Sequence, residues 1–144
     1  MILRGLLSYR DALRQRGIST GFQWLNGSFM EHKESLEMAP PQDVDVVTFF
    51  DLPAGLNQQT FAVRVADLFD PATTRPQYYV DAYPYVLGQP MSNFEVRIVS
   101  YWYGMWSHRR NGQWKGFVQV DISAEEDNIA GAVLAQIERE KASR

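Results

Sequence analysis

The sequence contains no cysteine and only two histidines in 144 residues. The first absence excludes a disulfide framework, a thiolate zinc site and a cysteine nucleophile. It fits a reducing compartment, and the chain is expected to be cytoplasmic. His32 and His108 have no metal-ligand spacing to each other, so both are read as surface or structural residues. No apolar run approaches the ~20 residues that a membrane-spanning helix needs, so no membrane partner is expected. The opening MILRGLLSYRDALRQRG is interrupted by Arg4, Arg10, Asp11, Arg14 and Arg16, which disqualifies it as a signal peptide. A Gly-x-Ser-x-Gly elbow, a Walker phosphate loop and a His-Glu-x-x-His pair are also missing.

What remains is an ordinary globular composition, 45% hydrophobic and 22% charged, rich in aromatics in its second half. The length suits one domain over residues 1–144, with no internal repeat or low-complexity linker. A net charge of −3 argues against binding nucleic acid over the whole surface and leaves room for a local basic patch.

Periodicity predicts alternating helices and strands. Ile2, Leu6, Tyr9 and Leu13 form an amphipathic helix over 2–16 that Gly17 stops, with its arginines on a solvated face. A short strand over 20–25 and a charged short helix over 29–38 follow. The clearest strand is 43–50: Val44, Val46, Thr48 and Phe50 alternate with Asp43, Asp45, Val47 and Phe49. A helix over 61–69 ends at Asp70-Pro71, residues 72–76 form a loop, and 78–86 form a strand. Ser92 and Glu95 open a helix whose Phe94, Ile98, Tyr101, Trp102 and Met105 are expected in the core. A strand over 114–122 precedes a last helix, opened by a Ser123–Glu126 capping box, with Ile129, Val133 and Ile137 facing inward. The expected fold class is α/β or α+β, a small mixed sheet flanked by helices.

Two carboxylates stand out. Asp43 and Asp45 point to one side of the strand and repel each other unless a cation lies between them. A hard divalent ion such as Mg²⁺ answers that need, because it takes oxygen ligands and keeps positions open for phosphate. Upstream, Gly27-Ser28 supplies a tight turn, backbone N–H groups and a small hydroxyl suited to phosphate. Asn26-Gly27 read alone also fits a hairpin turn.

These pieces resemble the nucleotidyltransferase superfamily of polymerase-β-like enzymes, whose signature is Gly-Ser, a spacer, Asp-hydrophobic-Asp-hydrophobic and a later third carboxylate. Here they are Gly27-Ser28, Asp43-Val44-Asp45-Val46 and Asp81 in YYVDAYPYV. The runs GSFMEHKE, DVDVVTFFD and WSHRRNGQWKGFVQVDI look like a small bacterial and phage-associated group of that superfamily. The spacer is long and carries Pro40-Pro41, a departure that bears on how Ser28 faces a metal. The resemblance implies a nucleotidyltransferase-like fold that binds one or two Mg²⁺ through Asp43, Asp45 and Asp81. It implies a nucleoside triphosphate substrate at Gly27 and Ser28, and an acceptor hydroxyl on protein, RNA or a small molecule. A toxin–antitoxin or phage-defence setting would suit that group.

Asp81 has a plainer reading as a solvated edge-strand aspartate. Arg109, Arg110 and Lys115, beside Trp106 and Trp114, form a basic turn that either grips triphosphate or RNA or is simply solvated. Two rivals to the enzyme stay open. One is a catalytically inactive scaffold that binds and neutralises a helical partner protein. The other is a domain in which the Gly-Ser and Asp-Val-Asp motifs are coincidental.

Overall fold

The computed structural model describes residues 1–31 and 39–143. Four strands form one mixed sheet: Gly21–Asn26 (β1), Val44–Phe50 (β2), Val80–Val86 (β3) and Val118–Asp121 (β4), in the order β3-β2-β1-β4. β1 pairs antiparallel with both β2 and β4, whereas β2 and β3 run parallel. Every residue of β2 is buried except the half-buried Asp45, as the central position of a strand apolar on both faces requires. Among the described residues five α-helices accompany the sheet: Ile2–Gln15 (α1), Gln58–Arg64 (α2), Pro71–Tyr78 (α3), Asn93–Trp106 (α4) and Ala124–Ala142 (α5). The fold is α+β.

The two faces of the sheet differ in chemistry. On one, Leu25, Val44, Val46, Phe50, Val80 and Ala82 pack against Leu6, Tyr9 and Leu13 of α1. Phe61 of α2, then Val65 and Leu68 beside the 3-10 turn Ala66–Phe69, close the same core. Each large side chain buried there contributes roughly 1.5–3 kcal/mol by leaving water. On the other face Val47 and Phe49 meet Trp106, with Phe22, Trp24, Tyr83, Tyr85, Trp102 and Phe117 half-buried around them. This second core is aromatic, and α4 covers only part of it.

Several expectations change. Residues 72–76 are helical rather than a loop, because Asp70-Pro71 starts α3 instead of ending its predecessor. The Asp70 side chain accepts from the Ala72 N–H at 3.0 Å, and Pro71 takes a first-turn position where no N–H is needed. Tyr79, with a φ of 58°, closes that helix, so β3 begins at Val80 rather than 78. The strand expected over 114–122 shortens to Val118–Asp121, with Trp114 contributing only an isolated bridge to His108. After Asn26-Gly27 the chain makes a 3-10 turn, Ser28–Met30, and the rest of the helix expected over 29–38 lies outside the described residues.

The arginines of α1 do not all face solvent. Arg10 is buried, donating to Gln23 Oε1 at 2.6 Å, to Asp127 Oδ1 at 2.7 Å and to the Asp121 carbonyl at 2.5 Å. Arg14 reaches the other oxygen of Asp127 at 2.6 Å. These charge-assisted bonds dock α5 on α1 in place of the apolar packing expected of it. Ile129, Val133 and Ile137 are accordingly exposed, not inward-facing. On α4 the buried residue is Trp106, whereas Phe94, Tyr101 and Met105 are exposed and Ile98 and Trp102 half-buried. Ser92 caps α4 by accepting from the Phe94 N–H at 3.2 Å and pairs with Glu95, as its capping box predicts. Ser123 makes no such bond, and its own N–H is taken by Asp121 Oδ1 at 2.7 Å.

Candidate functional site

Strand register assembles the site. Asn26 on β1 lies opposite Asp45 on β2, and Asp45 lies beside Asp81 on β3. Partners across a ladder project to the same face, so this polar row runs over three strands at the end of the aromatic face. Asp43 precedes Asp45 by two positions and shares its side.

The Gly27 turn is shaped by the same row. Its φ of 84° belongs to the left-handed region. A Cβ there would stand 2.6 Å from Asp45 Oδ2, so only glycine lets the turn lie against that carboxylate. Asn26 holds the arrangement from both sides: its Oδ1 accepts from the Gly27 N–H at 2.8 Å, and its Nδ2 donates to the Trp106 carbonyl at 2.8 Å. The end of α4 is thereby tied to the turn.

An open cleft of about 860 Å³ lies above the row. One wall carries Gly27, Ser28, Asp43, Asp45 and Asp81; the other carries Arg109, Arg110 and Lys115, with Tyr101, Trp102 and Trp106 between them. The residues expected to bind metal and phosphate therefore line one space, whereas Trp114 does not line it and His32 lies outside the described residues.

The acidic wall is electrostatically strained. Burial raises the Asp45 pKa above its ordinary value, and the neighbouring Asp43 and Asp81 charges raise it further, against the opposing pull of Lys115 and Arg75. Arg75 is the local counter-ion. Its guanidinium lies 2.5 Å from Asp81 Oδ2 and 3.7 Å from an Asp43 oxygen, and it is about half exposed. The Tyr83 hydroxyl donates to the same Asp81 oxygen at 3.0 Å, and burial, followed by that contact, pushes the phenol up to about 12. The other Asp81 oxygen, Oδ1, is buried with no hydrogen-bond partner among the described residues. An orphaned carboxylate oxygen is costly unless something else satisfies it.

That oxygen, with Asp43 and Asp45 nearby, provides the all-oxygen donor set that a hard divalent cation prefers. The donor types fit Mg²⁺. Among the described residues, however, no three carboxylates are grouped closely enough to hold a metal ion. The guanidinium of Arg75 bridges the gap between Asp43 and Asp81 instead.

The basic wall is a small hairpin after α4. The Arg109 N–H donates to the Gln113 carbonyl at 2.7 Å and the Lys115 N–H to the Ser107 carbonyl at 2.8 Å, while the His108 ring packs at a tilt of 41° on Trp114, centroids 4.1 Å apart. Both cations turn toward Glu31, at 3.1 Å from Arg109 and 3.4 Å from Lys115. Arg110 is exposed on the same wall.

Four participants escaped the sequence reading. Arg75 lay in a presumed loop, and the one available signal was the Asp-Pro helix start that projects it toward Asp81. Asn26 read only as part of a turn. Tyr83 was visible on the Asp81 face by alternation, without a reason to single it out. Glu31 lay in a charged run and its partners are far along the chain.

The arrangement defines a class: an α+β domain with a two-signed cleft at the carboxylate end of a mixed sheet. Within that class the chain belongs to the family described as "Family of unknown function (DUF6932)", whose model matches residues 1–121. No curated protein and no solved structure matches the chain. No described helix is long and apolar enough to cross a membrane.

Proposed function

We propose that the cleft binds a nucleoside triphosphate with a divalent cation and that the protein is a Mg²⁺-dependent nucleotidyltransferase. The single observation that carries this reading is the convergence of the Gly27-Ser28 turn, three aspartates from neighbouring positions of the sheet and a basic hairpin on one cleft. Like-charged carboxylates crowded against buried surface suit a polyanion that arrives with its own metal. Bound there, Mg²⁺ would neutralise phosphate oxygens and the developing charge of an in-line displacement.

The chain's own residues have defined tasks. Asp43, Asp45 and Asp81 would hold the metal once Arg75 has left the gap between Asp43 and Asp81. Ser28 and the backbone around Gly27 hold phosphate oxygens, and Arg109, Arg110 and Lys115 neutralise the polyphosphate tail. The acceptor hydroxyl oxygen forms a bond to the α-phosphorus while the bridging bond to the β-phosphate breaks, releasing pyrophosphate. The hydroxyl proton passes to the Asp81 carboxylate. Arg75 must withdraw from Asp81 for this, and its exposure gives it room to do so. Tyr101 and Trp102 offer flat surfaces on which a base can stack. The acceptor class stays broad: protein, RNA or small molecule.

Calorimetric titration with each nucleoside triphosphate, with and without Mg²⁺, tests the reading. Metal-dependent binding is expected, lost in the Asp43→Ala/Asp45→Ala double variant. Binding that survives in the double variant, or no binding to any triphosphate, refutes it.

A second reading draws on the apolar surface that remains exposed: Ile129, Val133 and Ile137 on α5, and Phe94, Val96 and Met105 on α4. Patches of this kind often mark protein interaction sites. Here the protein would be a catalytically inactive scaffold that binds a helical partner. A stoichiometric complex indifferent to the Asp43→Ala/Asp45→Ala change would favour it.

A further inference from the structure

Each wall of the cleft carries a built-in substitute for what the opposite charge of a ligand would bring. Arg75 stands among the carboxylates as a cation, and Glu31 stands between Arg109 and Lys115 as an anion. The second substitution has the clearer consequence. Lysine is ordinarily a solvated residue, yet the Lys115 side chain is only 17% exposed, and Glu31 is 19% exposed. Backbone bonds at Arg109 and Lys115 fix the main chain of the hairpin, and Glu31 holds the two charged groups on this wall. Among the described residues one carboxylate, Glu31, pairs with both cations, and Arg110 adds a third positive charge on the same wall.

We propose that Glu31 is a displaceable internal anion that occupies the polyphosphate subsite of Arg109 and Lys115, so that a ligand's phosphate groups bind by exchanging with its carboxylate. This rests on the nucleotide reading above for the setting of the subsite, and it adds a means of control. A single phosphate group competes poorly with a carboxylate already in place. A linear polyphosphate, bearing several charges that span both cations, displaces it. The subsite thereby selects chain length and charge, and any change that draws Glu31 away from Arg109 and Lys115 raises affinity without touching the acidic wall.

Isothermal titration with sodium tripolyphosphate in EDTA, and with orthophosphate as the short comparator, isolates this wall from nucleoside and metal. Wild-type protein is expected to bind tripolyphosphate and to bind orthophosphate far more weakly. Glu31→Gln removes the competing charge at nearly constant shape and should tighten tripolyphosphate binding about fivefold, the scale of two partly exposed ion pairs. Lys115→Gln and Arg109→Gln, each checked for a native circular dichroism spectrum, should weaken it roughly tenfold. Equal or weaker binding by Glu31→Gln overturns the proposal, as does wild-type affinity in both cation variants or no binding by wild type and Glu31→Gln alike. The outcomes separate from those of the nucleotide test. Tripolyphosphate exchange with Glu31 in the absence of Mg²⁺-dependent nucleotide binding would sink the transferase reading and leave this subsite standing. Metal-dependent nucleotide binding with an indifferent Glu31→Gln would do the reverse.

Discussion

The sheet presents two faces that solve different problems. The aliphatic face is sealed by α1, α2 and the turn that follows α2, and its buried Gln23 and Tyr9 are internally paired. Gln23, fully buried, accepts from Arg10 at 2.6 Å and donates to Thr48 at 2.9 Å, and Tyr9 donates to the Leu68 carbonyl at 3.0 Å. The aromatic face has one helix over it, leaves Tyr101 and Met105 exposed, and holds a carboxylate oxygen with no partner among the described residues. The Thr74 hydroxyl on α3 is also buried without one, but an unpartnered charged oxygen is the costlier of the two, so the contrast marks where stability was given up for chemistry. One face makes the domain, and the other keeps a site open.

The sharpest way to break this contrast is to truncate matching large side chains on the two faces. Phe50→Ala on the aliphatic face should cost about 3–5 kcal/mol, because Phe50 is 2% exposed and ringed by Phe61 and Phe69. Tyr101→Ala on the cleft side should change stability by no more than about 0.5 kcal/mol. Urea denaturation of both variants measures this, and a similar loss for the two would erase the distinction between scaffold and site.

Gly27→Ala should come next in size. It forces a side chain into the left-handed region and against Asp45 Oδ2, for a cost of roughly 1–3 kcal/mol. Thermal unfolding records that cost, and the same variant should lose triphosphate binding, since the turn and the carboxylate cannot both keep their places. An unperturbed melting curve would mean that the close approach of turn and carboxylate is not a constraint.

The smallest effect concerns charge. Because the folded protein holds Asp45 above its ordinary pKa of 3.8, the native state keeps that proton to higher pH than the unfolded chain does. Asp45 thus lowers stability as pH rises through its folded value, and the penalty persists above it. Asp45→Asn should raise the melting temperature at pH 7 in EDTA, by a gain on the order of 1 kcal/mol. The advantage should fade below pH 3.8, where both states of the wild type carry the proton. A loss of stability at pH 7 would show that Arg75 and Lys115 already outweigh the repulsion.

Much of the fold was legible because β2 announces its own position: a strand apolar on both sides has nowhere to go but the middle of a sheet. The same alternation put Asp43, Asp45 and Asp81 on the faces where they lie. Legibility failed where one residue type has two meanings. Asp70-Pro71 both ends helices and begins them, and reading it as an ending hid α3 and with it Arg75. The apolar periodicities of α4 and α5 were real, but periodicity says which residues share a side and not what covers that side. Ion pairs between α1 and α5 carry the docking of the last helix, and partners more than a hundred residues apart leave no local trace. The pairing of Glu31 with Arg109 and Lys115 is equally invisible, because those partners too are remote along the chain.

The Arg10 hub also bears on the order in which the molecule can be completed during synthesis. Its guanidinium belongs to α1, yet its carboxylate partner Asp127 lies 117 residues downstream and leaves the ribosome long after it. Until that residue has been made, Arg10 can enter the interior only as a charge without a counter-ion, a state that typically costs about 3–5 kcal/mol. The nascent chain therefore has reason to keep α1 in water and to close its aliphatic core late. That delay couples the docking of the first helix to the arrival of the last.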